Sequence, residues 1–385
     1  MTFHDFVAFL SFVPGRARYG SIAAFVAVLS CVIAAPAFAQ VTSGAQSQNL
    51  VPNARAQGMG RAFTAIAEGP NAAWWNPGAL GMQPSLWMSP WSTAHLVPDL
   101  ADDVHVHSYG VAGSYRGFGA GFHYTDLDYG ESEAVTEDGQ VVGSFVSTEY
   151  TRLFGVGVEA LELITGRTQD LQVGLGANFK WFWVDLAPDW ALPEHLAGKA
   201  DATDIDLGML VTYRIDLESL GDADWKHDSY LRFRFGAAKK NAYDNRLDYD
   251  QQTISDPLVV RDHVGFAVEG SFGRLEPLGP VIQGFLAFDN LSVDHFTFGR
   301  RDRDIQHYGA EVKVLNVVAL RYGRIEDKDG QIQDYTIGFG LAFAAEPPDG
   351  VLGQIHVGYD FASVPQATGL ERVQYHTFGF GVQLR

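Results

Sequence analysis

Leu171-Gln-Val-Gly-Leu-Gly-Ala-Asn-Phe-Lys-Trp-Phe-Trp183 decides the fold. On an extended chain, Leu171, Val173, Leu175, Ala177, Phe179, Trp181 and Trp183 fall on one side. Gln172, Gly174, Gly176, Asn178 and Lys180 fall on the other. The alternation outlasts the ~5–6 residues of an ordinary strand. It reaches the ~9–11 residues that a tilted strand needs to cross a bilayer.

The same period recurs outward in both directions. Ile205, Leu207, Met209, Val211, Tyr213 and Ile215 oppose Asp204, Asp206, Gly208, Thr212 and Arg214. Leu231, Phe233 and Phe235 oppose Arg232 and Arg234, and Val264, Phe266 and Val268 oppose Gly265, Ala267 and Glu269. Tyr308, Ala310, Val312 and Val314 oppose His307, Glu311 and Lys313. About fourteen runs result, near 86–97, 103–115, 117–129, 143–160, 168–187, 202–216, 229–242, 257–273, 279–294, 305–315, 317–326, 331–344, 352–363 and 371–384. The pattern predicts an all-β chain: a transmembrane antiparallel β-barrel of about 14 strands, an even number as single-chain bacterial barrels have. Arg116-Gly117, Leu315-Asn316 and Asp329-Gly330 read as tight hairpin turns. Trp87, Trp91, Tyr129, Trp181, Trp183, Tyr213, Tyr322 and Tyr359 gather near run ends, as interfacial girdles do.

The polar side then lines the lumen, with Asp204, Asp206, Arg214, Arg232, Arg234, Glu269, Glu311, Lys313 and Arg321 on it. Toward lipid, each Arg or Lys at midplane would cost about 2–4 kcal/mol. Inside, the charges can pair, and a salt-bridge network stiffening the wall is the plainer reading beside a substrate pathway. Acidic stretches at Asp99–Asp103, Glu131–Asp138, Asp244–Asp256 and Glu326–Asp334 read as solvated rim loops.

Ahead of the strands, residues 1–39 read as an export signal. Arg16 and Arg18 precede an apolar run from Ile22 to Ala35, and Ala37-Phe38-Ala39 offers a cleavage site before Gln40. The chain carries −19; removing two Arg and one Asp (net +1) leaves −20. Such acidity disfavours nucleic acid as a partner. Cys31 is the one cysteine, so the mature chain is expected to lack disulfides, zinc–thiolate sites and thiol nucleophiles. Residues 40–85 read as a compact polar plug, and 86–385 as an outer-membrane barrel in a Gram-negative cell. The plug motif comprises Asn53, Arg55, Gly58, Met59 and Gly60, closed by Asn76, Pro77 and Gly78, a turn signal.

The order of these motifs resembles the PorV/PorQ family, within the wider group of barrels that includes the fatty acid transporter FadL. The resemblance is carried by Asn53 to Ala65 with Trp74-Trp75-Asn76-Pro77, by Met88-Ser-Pro-Trp91 before Leu100 to Val104, and by Gly130-Glu131 with Glu137 to Gln140 and Gly143-Ser-Phe145. His307 to Glu311 with Val318 to Gly323 completes it. It covers nearly the whole mature chain through short motifs in a shared order. It implies a fourteen-stranded barrel with its N-terminal segment in the pore. In the best-known members it also implies work in type IX secretion, binding the C-terminal domain of exported proteins. Two features depart from the pattern: the chain ends Leu384-Arg385 rather than on an aromatic residue, and no long helical hatch is visible.

Enzyme chemistry is not expected. No nucleophile-elbow, zinc-protease or phosphate-loop pattern occurs, and the Gly-x-Gly pairs at 119/121, 174/176 and 338/340 sit inside strands, where glycine relieves crowding on the inner wall. His105 and His107 share a strand face without a third metal ligand placed by sequence, and Asp327-Lys-Asp329-Gly330 reads as a turn rather than a calcium loop. No cofactor and no metal are expected. Besides a structural barrel that only anchors partners, two functions stay open. One is a secretion component that binds exported cargo or a translocon, with Pro188 to Pro193 and Pro257 to Val260 as rim contacts. The alternative is a FadL-like transporter of hydrophobic solutes, which predicts an apolar lumenal pocket and an interrupted strand. Outer-membrane lipid is a partner in either.

Overall fold

The computed structural model describes residues 44–83, 86–136, 138–167, 170–192, 197–217, 229–249, 255–275, 279–293, 303–345 and 352–384. The expected signal segment, Cys31, Pro193 and most of the connections at 217–228 and 295–304 lie outside the described residues.

Fourteen long strands make the wall: β1 (Leu86–His95), β2 (His105–Tyr115), β3 (Phe118–Val135), β4 (Val141–Glu159), β5 (Leu171–Asp185), β6 (Lys199–Asp216), β7 (Tyr230–Lys240), β10 (Arg261–Leu275), β11 (Gly279–Val293), β12 (Arg303–Val314), β13 (Val318–Asp327), β14 (Ile332–Ala345), β15 (Leu352–Val364) and β16 (Val373–Leu384). Each pairs antiparallel with its neighbour in the chain, and β1 pairs with β16 to close the barrel. Closure leaves the fourteen-stranded wall without a free edge, as a wall in hydrocarbon requires.

Two short strands, β8 (Arg246–Tyr249) and β9 (Ser255–Pro257), form a hairpin that continues the sheet beside β6 beyond the end of β7. Sequence reading makes this stretch a solvated loop. Instead Leu247 and Leu258 are fully buried, and the Gly44 N–H donates to the Pro257 carbonyl at 3.0 Å. Leu258, Val259 and Val260 therefore belong to the core and are not a rim contact. Trp190 does stand at the rim, edge-on to Phe145.

Side-chain alternation follows the expected faces. Leu286 is 67% exposed while its neighbour Phe285 is 3% exposed, and Leu320 is 64% exposed beside Arg321 at 7%. Such apolar exposure around the outer wall belongs in hydrocarbon rather than water. An aromatic ladder crosses β2 to β5, with Tyr109 and Tyr124 centroids 4.8 Å apart, Tyr124 and Tyr150 6.0 Å, and Tyr150 and Trp183 6.1 Å. Two expected girdle residues face inward instead. Trp87 packs on His356, and the Tyr129 hydroxyl donates to Glu149.

Residues 44–83 lie within the barrel and supply much of its core. Met59, Phe63, Ile66, Trp75 and Leu80 are almost completely buried and cluster with the inward-facing Ala112, Leu153, Leu210 and Phe285. The expected polar character is thus corrected: the segment is apolar at its centre and polar in its links to the wall. A second apolar cluster around Ala54, Ile325 and Tyr375, and a third around Ala45, Phe182 and Leu247, occupy the end of the lumen that bears β8 and β9.

Candidate functional site

The fit between segment and wall starts with residues lacking side chains. A Cβ on Gly323 would stand 2.1 Å from the Gly60 nitrogen, and one on Gly309 would stand 2.4 Å from the Met59 carbonyl oxygen. Gly60 itself has φ +63 and lies against the backbones of Tyr308 and Arg324, so it needs both freedoms of glycine. Pro77 presses its carbonyl onto Gly176 and its ring onto Gly208, while Gly78 lies on the Met209 backbone. Gly58 faces Gly338.

Polar links then fix register. Asn53 accepts the Arg55 N–H at 2.6 Å and caps the short helix Ala54–Gly58. Asn76 donates to the carbonyls of Thr64 (3.1 Å) and Met209 (2.9 Å) and accepts the Gly78 N–H. Asp289 accepts the N–H groups of Phe63 and Thr64, and Asn178 donates to the Ala73 carbonyl. Alternation alone could have found Asn178 and Lys180; Asp289, Glu149 and Glu68 carried no distinguishing signal.

The sequence-predicted lumenal charges form separate groups. Glu311 receives Arg55 at 2.8 Å, Lys313 at 3.5 Å and Arg321, and Arg321 also reaches Asp360 at 2.7 Å. Glu269 gathers Arg232, Arg234, the Tyr230 hydroxyl and Gln283. Asp206 pairs with Lys180 at 2.6 Å, and Asp204 accepts the N–H groups of Tyr243 and Asn245. Arg214 stands apart: it pairs with Asp216 at a partly exposed position near the end of β6 and stacks on Tyr230. Paired and buried, most of these charges act as links in the wall and the segment.

Arg55 also bonds Glu68, which is 35% exposed and borders two cavities. Burial alone would lower the Arg55 pKa, but Glu311 and then Glu68 hold it above its ordinary value. Burial would raise Glu68; Arg55, then Lys313 and Arg234, outweigh it and hold the carboxyl below its ordinary value. The smaller cavity, about 340 Å³, lies under the junction of β1 and β16 and is lined by Trp87, Ser89, Gly358, Thr377 and Gly379 together with Lys313 and Arg321. A Cβ on Gly379 would meet nothing within 4 Å, in contrast to the glycines filled by the N-terminal segment.

The wall is irregular beside this cavity. Partners step from Met88↔Phe380 to Trp91↔Phe378 on one side of β1, and from Ser89↔Gly110 to Ser92↔Ser108 on the other. Pro90 lies in both gaps and has no N–H to offer a ladder. Ser92 donates to the Pro52 carbonyl, and the Ala54 N–H donates to Thr377 at 3.0 Å, so the N-terminal segment is attached at this seam.

At the far end of β2, the His105 ring lies 4.8 Å from His95 and 6.1 Å from His107. Among the described residues no group of three His, Cys, Asp or Glu is placed to hold a metal.

Geometry thus defines a closed fourteen-stranded barrel with an apolar exterior, an occupied lumen and a cavity against an irregular seam. Its fold is similar to that of CymD, a monoaromatic hydrocarbon channel, at 11% identity over 90% of this chain and 97% of that one, with a TM-score of 0.44. A Pseudomonas aeruginosa FadL homologue is 8% identical over 86% and 98%, with a TM-score of 0.39. The P. putida toluene transporter TodX is 11% identical over 84% and 96%, with a TM-score of 0.35. No family model and no curated protein matches the chain.

Proposed function

We propose that this chain is an outer-membrane channel for small apolar solutes, plugged by its N-terminal segment, in which solute passes between the lumenal cavity and the membrane at the Pro90 seam. The break in both β1 ladders supports this reading, because an interrupted strand is what sideways passage needs. Ser89, Gly379 and Trp87 give the cavity a wall of small and aromatic groups at the same place. The plug motif from Asn53 to Gly78 holds the segment, and the lumenal charges anchor it. CymD and TodX are described as handling aromatic hydrocarbons; the reading for this chain rests on its own seam. Replacing Pro90 with Val restores a backbone donor and a β-branched side chain suited to a continuous strand. Pro90→Val is expected to cut the uptake of radiolabelled toluene by producing cells several-fold, with the barrel still folded. Unchanged uptake would contradict the reading.

A second reading, a secretion component contacting exported proteins, has one observation in its favour. Residues 131–136 and 138–146 of the β3–β4 hairpin rise beyond the neighbouring strands and expose Val135, Val141, Val142 and Val146. Co-purification of exported proteins that is lost when those valines become Ser would favour it; their absence from the purified barrel would remove it.

A further inference from the structure

Two cations stand opposite each other on the inner face of the wall. Lys240, the last residue of β7, is in register with Arg261, the first of β10. Residues so paired hold their Cβ atoms about 5 Å apart, and like charges at that spacing repel. Lys240 is buried, and among the described residues neither cation has a carboxylate partner. The Arg261 guanidinium reaches only the Gln48 carbonyl, at 3.4 Å. Asp206 is engaged elsewhere: one oxygen meets Lys180 at 2.6 Å and the Asn241 N–H at 3.0 Å, and the other accepts from Asn178 at 3.2 Å.

Aromatic contact offsets part of the cost. The Lys240 ammonium lies 3.3 Å from the centroid of the Trp74 ring, and 5.7 Å from that of Trp75. A ring face does nothing for Arg261, and loss of the lysine proton would leave that guanidinium charged and still uncompensated. More donors stand beside the pair. Trp75 Nε1 and His263 Nδ1 are buried without a hydrogen-bond partner among the described residues, and the two rings meet edge-on at 6.3 Å. The Trp75 nitrogen can only donate. Water would satisfy such groups but would bring no charge against two cations. Enclosure then sets the size: Trp74, Trp75, Lys240, Asn241 and His263 are all buried, which suits a single-atom anion better than a carboxylate carried on a chain.

We propose that Lys240 and Arg261 hold a chloride ion inside the barrel, with Trp75 and His263 as neighbouring donors. The ion ties the Trp74-Trp75 stretch of the N-terminal segment to β7 and β10.

A ligand that binds only the folded barrel raises its stability. The test follows heat unfolding of the full barrel in detergent by tryptophan fluorescence, as sodium chloride replaces sodium gluconate. Ionic strength is held fixed, so general screening stays constant. The native midpoint is expected to rise by several degrees in chloride. Lys240→Met should abolish that rise and Arg261→Gln should reduce it. Lys239→Gln removes the same charge one residue away, where Lys239 is exposed and paired with Asp262, and should respond as the native protein does. Equal native midpoints in the two salts, or a native-sized rise in Lys240→Met, would overturn the site. Native crystals grown in sodium bromide give a reading that needs no variant: an anomalous peak beside the Lys240 ammonium is expected, and its absence would overturn the site as well.

Discussion

Glu311 shows how a single carboxylate joins the N-terminal segment to the wall. It is fully buried, and Arg55 from the segment meets it alongside Lys313 and Arg321 from the wall. Taking one partner from a buried ion pair costs about 3–5 kcal/mol, because the remaining charge has lost its compensation. Glu311→Gln would take the partner from Lys313 and leave Arg55 and Arg321 with only Glu68 and Asp360, so a loss of that order is expected in urea unfolding of the lipid-embedded barrel. A loss under about 1 kcal/mol would mean that water already screens the group. Glu68 gives the contrasting case. Its carboxyl is held below the ordinary ~4.3 of glutamate, so its contribution is present at neutral pH and is lost only as pH falls through the lowered value. Glu68's share of the protease resistance of residues 44–83, read as the difference between the native protein and Glu68→Gln, should therefore be constant between about pH 8 and pH 5 and shrink below about pH 4. Weakening already near neutrality would show that the Arg55–Glu68 contact is not the link described.

At the level of elements, the wall glycines and the N-terminal backbone are two halves of one fit. Gly323→Ala is expected to push residues 58–60 off β13 and expose the segment to protease, because the added carbon would stand 2.1 Å from the Gly60 nitrogen, far inside contact distance. Gly379→Ala should be silent, since open space lies before it. Equal protection in both variants would contradict the packing. The strands themselves were legible because a wall between lipid and a polar interior imposes period two on every crossing. The hairpin of β8 and β9 was not, since strands of four and three residues leave no period to read. Trp87 joined the girdle on its place near a run end; Ser92 and Ala94 are buried, and the shift at Pro90 turns Ser89 and Trp87 to that same side. Tyr129 simply shares parity with the buried Leu127 and Thr125. The candidate site was only partly legible: charges were found by alternation, but which ones converge depends on strand order and on the path of the segment. Small residues from Ala54 to Ala79 read as polar packing, and the aromatic core that Phe63, Trp74 and Trp75 build among them emerged only with the barrel around it.

Considered as a whole, the molecule is inverted relative to a soluble domain. Its exposed surface carries Leu286, Leu320 and Phe266, whereas Glu311, Glu269, Asp206 and Lys180 are buried. Only lipid outside and a compensated interior make that arrangement favourable. The inversion also explains why the N-terminal segment has two characters, apolar at its own centre and polar where it meets charged wall positions. The direct measurement is a spin-label scan along β13 in a Cys31→Ser background, with one cysteine at a time from Val318 to Ile325, in reconstituted bilayers. Collision with oxygen, which concentrates in lipid, should peak at 318, 320 and 322 and fall at 319, 321, 323 and 325. Uniform access to a water-soluble nickel reagent at every position would contradict the account.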